Sequence, residues 1–165
     1  MLEPISWLAG TWKGQGCGGF PTMDDFEFED EMRIKTDLKG YVQEPLIHFE
    51  EMAWVLDKEE KRFMHWETGY FKPDQDGRIQ FYICHNTGRI EITYGKFEVL
   101  NSQNKSFEIH FNSEFIRNDK GTKFATKSNR KIILQDDTLT YSLAMSTEDV
   151  SEMNHHLTSK LMKVK

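Results

Sequence analysis

Apolar and polar positions alternate with a period of two along most of this chain. Phe26-Glu27-Phe28-Glu29, Arg78-Ile79-Gln80-Phe81-Tyr82-Ile83, Ser106-Phe107-Glu108-Ile109-His110-Phe111 and Thr138-Leu139-Thr140-Tyr141-Ser142-Leu143 each put apolar side chains on one face and polar ones on the other. Successive side chains of an extended backbone point to opposite faces, so this pattern predicts half-buried β-strands. Turn-forming residues punctuate it at Asp37-Leu38-Lys39-Gly40, 73–77, Asn86-Thr87-Gly88, 101–105, 118–121 and Gln135-Asp136-Asp137. Short alternating runs bounded by Gly, Asn, Asp and Pro read as antiparallel hairpins. Roughly ten strands fill nearly the whole length. The helical signal is confined to one turn around Pro4-Ile5-Ser6-Trp7-Leu8. With no linker, repeat or low-complexity segment, a single domain over residues 1–165 is expected.

So many strands in so short a chain must close on themselves to hide their edges. The expected fold is all-β, a single antiparallel up-and-down barrel, wide enough at about ten strands to enclose a ligand cavity. Leu8-Ala9-Gly10-Thr11-Trp12-Lys13-Gly14-Gln15-Gly16 describes how such a barrel starts. Its evenly spaced glycines let a strand bend or another backbone approach, and Trp12 supplies a large apolar plug for one end.

Composition narrows the function. The chain has 165 residues, 38% hydrophobic and 13% aromatic, enough for a sizeable core. A net charge of −6 and no Lys/Arg run argue against nucleic-acid binding. No apolar stretch reaches the ~20 residues of a membrane-spanning helix, and Met1-Leu2-Glu3-Pro4 does not read as a secretory signal. Cys17 and Cys84 lie far apart without metal-ligand spacing, so free thiols in the cytoplasm are expected. A conventional hydrolase is disfavoured, because neither a nucleophile elbow nor an HExxH zinc motif is present.

Six ordered segments carry a resemblance. Gly10-Thr11-Trp12-Lys13-Gly14-Gln15-Gly16 resembles the GxWxGxG motif of the nitrobindins, haem-binding β-barrels related in shape to the fatty-acid-binding proteins. Gly19-Phe20-Pro21-Thr22, Met64-His65-Trp66-Glu67-Thr68-Gly69-Tyr70 and Asn86-Thr87-Gly88-Arg89-Ile90-Glu91 are similar to that family's successive motifs. Lys123 and Arg130 keep its spacing, Asp137-Thr138-Leu139-Thr140-Tyr141 and Met145 follow in order, and His155-His156-Leu157 closes the chain like the family's terminal His-Leu.

The resemblance implies a calycin-like barrel holding one haem b per chain. It would bind nitric oxide and isomerise peroxynitrite to nitrate, as a monomer or homodimer with small-molecule partners only. The histidine directly before the last Leu, here His156, would be the axial iron ligand. A single protein ligand leaves the opposite iron position open to a small molecule. Thr22, Met64, His65 and Lys123 would line or contact the haem, Lys123 as a propionate partner. Read without the resemblance, Met64 and His65 are ordinary core positions, and Lys123 is a solvated lysine after a turn. In a regular strand His155 and His156 face opposite ways, and Leu157 and Leu161 share a face with His155. A ligand at the strand's mouth, before regular pairing begins, escapes that objection, so His156 is preferred and His155 is the fallback. The chain departs from the family's usual Gln at His85. Facing inward, His85 could hydrogen-bond an iron ligand or close the open site; facing outward, it would sit beside a loop. A second function class remains, a non-catalytic carrier of a fatty acid or other apolar ligand, for which Arg130 and Tyr141 could bind the carboxylate.

Overall fold

Trp12 is the plug the sequence predicts. It is buried, its indole Nε1–H donates to the Leu8 carbonyl at 2.8 Å, and Ile5, Leu8, Phe107, Leu134, Leu139 and Leu161 belong to the core around it. A short helix, α1 (Glu3–Ser6), turns the chain into the first strand. The computed structural model describes residues 3–36, 46–57, 60–74, 76–120 and 124–165. Its strands are β1 (Gly10–Phe20), β2 (Met23–Lys35), β3 (Ile47–Leu56), β4 (Lys61–Pro73), β5 (Ile79–His85), β6 (Ile90–Asn101), β7 (Ser106–Arg117), β8 (Ala125–Gln135), β9 (Thr138–Thr147) and β10 (Asn154–Lys163).

Each strand pairs antiparallel with its neighbour in sequence, and β1 closes the barrel on β10. Closure leaves no open edge, which is why alternation could run through every strand without an aggregation-prone side. Close approach at the seam depends on Gly14, where a Cβ would lie 2.0 Å from the Lys160 carbonyl oxygen. The predicted turn at 101–105 carries Lys105 at φ 57, and the one at Gln135-Asp136-Asp137 carries Asp136 at φ 53. The predicted turn at Asp37-Leu38-Lys39-Gly40 lies outside the described residues.

The interior is layered. Above the plug, Phe49, Phe71, Phe81 and Phe111 form an aromatic layer, with Phe71 and Phe81 stacked at 4.2 Å and Phe49 edge-on to Phe81 at 5.0 Å. Next comes a buried polar layer containing Asp30, Glu51, Glu67, Glu91, Arg130 and Ser159. Beyond it the barrel opens into a cavity. Among the described residues no helix is long and apolar enough to cross a membrane.

Candidate functional site

Two strands break their register at the cavity. In β4, Ala53 pairs with His65 but Trp54 pairs with Phe63, so Met64 is an extra residue. In β10, Ala144 pairs with His155 and Leu143 with Leu157, so His156 is extra. A β-bulge re-aims side chains, letting two successive residues point the same way. Met64 with His65, and His156 with Leu157, all line one cavity, together with Met23, Phe26, Glu51, Ala53, Thr87, Arg89, Leu143 and Met145. This corrects the expectation of an unpaired strand mouth. His156 escapes the alternation through a bulge inside a paired strand.

His156 is placed as an imidazole donor. Its Nδ1 lies 3.0 Å from the Gly19 carbonyl oxygen, an acceptor only, so Nδ1 carries the proton and Nε2 keeps its lone pair. Phe20 and Phe26 flank the ring, with centroids at 5.8 and 6.0 Å. Gly18 makes room for this arrangement, since a Cβ there would meet the Phe26 ring at 2.5 Å and the His156 carbonyl oxygen at 2.8 Å. Burial lowers the His156 pKa below the ordinary histidine value, which keeps the ring neutral and able to coordinate. His155 is exposed, with Nε2 3.1 Å from the Thr158 hydroxyl and its side chain on an outer groove.

The other predicted residues divide. Met64 and His65 line the cavity beside His156. Thr22 lines an adjoining cleft that shares Met23, Arg89 and Met145 with it. Lys123 lies outside the described residues. His85 faces the interior and is fully buried, but it sits in the polar layer rather than on the cavity wall. Its Nδ1 is 3.1 Å from Glu67 Oε2 and its Nε2 3.0 Å from Glu91 Oε1.

Arg130 organises that layer. Its Nη1 and Nη2 donate to Glu67 Oε1 and Oε2 at 2.8 and 3.2 Å, Nη2 also reaches Glu91 Oε1 at 3.2 Å, and Tyr141 is hydrogen-bonded to Nη1. Burial opposes ionisation of Glu67, but Arg130 and then His85 outweigh it and hold the carboxyl well below the usual range. Glu91 is lowered in the same way, by Arg130 against burial. Asp30 and Glu51 lack such a cation. Burial, aided by neighbouring carboxylates, pushes Asp30 up to about 7 and Glu51 well above its ordinary value.

Sequence reasoning missed these acids. Strand parity could have found them: Asp30 alternates with Phe28 and Met32, Glu51 with Phe49 and Ala53, and Glu67 with Gly69 and Phe71, each on the inward face. An acid two residues from a core phenylalanine on a strand is a buried acid unless a bulge intervenes.

Comparisons with known proteins identify the family of the barrel. A family model described as THAP4-like, heme-binding beta-barrel domain matches residues 1–163, and the chain belongs to that family of haem-binding barrels. Among its relatives is an Arabidopsis thaliana protein named peroxynitrite isomerase Rv2717c, 33% identical over 164 residues, covering 99% of this chain and 89% of the relative. A Nocardia farcinica protein named peroxynitrite isomerase is 29% identical over 163 residues, covering 98% of this chain and 90% of its own. The crystal structure of Rv2717c from M. tuberculosis superposes with a TM-score of 0.85 at 24% identity, covering 99% of this chain and 97% of the other, which fixes the shared fold.

The residues present fit a haem. A neutral imidazole with its far nitrogen tied to a carbonyl faces a cavity walled by Met23, Phe26, Met64, Leu143, Met145 and Leu157, the donor and apolar surroundings that a porphyrin iron takes.

Proposed function

We propose that this chain holds one haem b on His156 and isomerises peroxynitrite to nitrate in the cytoplasm, binding nitric oxide at the same open position. The observation that carries this reading is the His156 bulge, which turns a neutral, oriented imidazole into a cavity walled largely by methionine, leucine and phenylalanine side chains. The names of the full-length relatives support the activity. A ferric haem supplies a Lewis-acidic iron with one free coordination position, and the conversion of ONOO⁻ to NO₃⁻ consumes no external electrons.

This chain's residues have four tasks. His156 Nε2 would hold the iron, while the Gly19 carbonyl fixes the ring's tautomer and plane. The methionine and leucine side chains keep the cavity wall apolar and would limit water there. His65, whose Nε2 is 3.2 Å from Glu67 Oε2, is the oriented polar side chain on the cavity wall. Arg89 lies where cavity and cleft meet and offers a guanidinium to a propionate, a role that Lys123 shares by resemblance, with Thr22 on the cleft wall. His85 acts from beneath the cavity by holding Glu67 and Glu91.

One observation counts against the fatty-acid carrier. Arg130 faces inward with Tyr141, but both guanidinium Nη atoms already engage Glu67 and Glu91, so no free cation awaits a ligand carboxylate there. The test is to load the protein with ferric haem and follow peroxynitrite by stopped flow. Faster decay with nitrate rather than nitrite as product is expected; decay at the rate of buffer, or of the haem-free chain, contradicts the reading.

A further inference from the structure

Glu67 Oε2 is a point of convergence. His65 Nε2 lies 3.2 Å from it and His85 Nδ1 3.1 Å. One donor atom from each of the three residues can be chosen so that all lie within 4.8 Å of one another. Backbone pairing builds this cluster. Glu67 and His85 are direct partners across β4 and β5, and His65 stands two residues before Glu67 on the same face, just past the Met64 bulge. We propose that His65, Glu67 and His85 form a binding site for a divalent first-row transition-metal ion at the floor of the cavity that His156 lines, with donors distinct from His156.

Two imidazoles and one carboxylate are a donor set that zinc and ferrous iron both take, with further positions left open. The set is supported from behind. His85 Nε2 is 3.0 Å from Glu91 Oε1, a carboxylate that would hold the Nε2 proton, so that Nδ1, 3.1 Å from Glu67 Oε2 and 3.4 Å from Arg89 Nη2, is the nitrogen that would turn to an ion. Arg130 holds Glu67 through Oε1 and touches Oε2 at 3.2 Å, and an oxygen with two lone pairs retains one for a metal.

Acidic side chains crowd the site. Asp30, Glu51, Glu67 and Glu91 are all buried, against Arg130 and the partly exposed Arg89. Asp30 lies against Ser159 and Glu51, and Glu51 against Glu67. Glu51 and His65 both line the cavity, which gives an ion a route in and turns its open positions toward the same space. A bound dication would favour the ionised forms of these acids. The proposal does not depend on haem.

The haem-free chain is titrated with Co(II), followed by visible absorption, and with Zn(II), followed by calorimetry. One ion per chain is expected at micromolar metal. His85→Gln, confirmed as folded by circular dichroism, weakens binding about 100-fold or more. His156→Ala leaves metal binding intact while losing haem, so the two readings fail separately. Nitrogen-15 spectra with Zn(II) supply a test without any variant: the His65 and His85 ring signals shift, and those of His48, His110, His155 and His156 do not. No saturable binding, equal affinity in folded His85→Gln, or shifts confined to the other histidines would overturn the site.

Discussion

Single side chains at this site are defined by what they are denied. Asp30 has no cation beside it, and its pKa rises to about 7. A carboxyl raised in the folded state contributes stability that is complete below its unfolded pKa of about 4 and is lost as pH rises through about 7. Asp30→Asn should therefore flatten the decline of stability between about pH 4 and pH 7, by up to a few kcal/mol in urea unfolding. An undiminished decline in the variant would contradict the assignment. Arg130 is the opposite case. Arg130→Met leaves Glu67 and Glu91 buried without their cation, and a loss of about 3–5 kcal/mol at neutral pH is expected. That loss should shrink in acid as the carboxyls protonate, whereas a pH-independent loss would point to packing alone. Residue by residue, the sequence indicated histidines and methionines for the site but left the buried acids unread. Glu67 stands within one of the resembling motifs, but an acid on an alternating strand looks like a surface residue until its face is known.

Strands, turns and closure were legible in the sequence because period two and turn chemistry are local properties. The two bulges were not. A bulge appears only when a strand is laid beside its partner, and the parity of β10 by itself favoured His155. The same cross-strand logic separates two glycines. Gly14→Ala would drive a methyl group against the Lys160 carbonyl at 2.0 Å, so β1 and β10 must part; a loss above about 3 kcal/mol is expected. At Gly77 an added Cβ meets nothing, and only the backbone φ of +74 is strained. Gly77→Ala should cost about 1 kcal/mol. Equal melting temperatures for the two variants would refute the seam.

For the whole molecule, one end is a packed plug of Trp12, Leu8 and Phe107, the other an apolar cavity, and a charged layer lies between them. The closed end carries stability while the open end can exchange its contents. A ligand that binds only the folded barrel raises its melting temperature by mass action, so haem should stabilise the wild-type chain in a concentration-dependent way. The Gly10 to Gly16 motif at the closed end points to the family, whereas the proposed iron ligand lies on the last strand. The central claim is that the His156 bulge supplies the iron ligand. Ferric haem titrated into wild type, His156→Ala and His155→Ala, followed at the Soret band, tests it most directly. Wild type and His155→Ala should give the same histidine-ligated spectrum at one haem per chain, and His156→Ala should lose it; an unchanged spectrum in His156→Ala, or its loss in His155→Ala alone, would contradict the account.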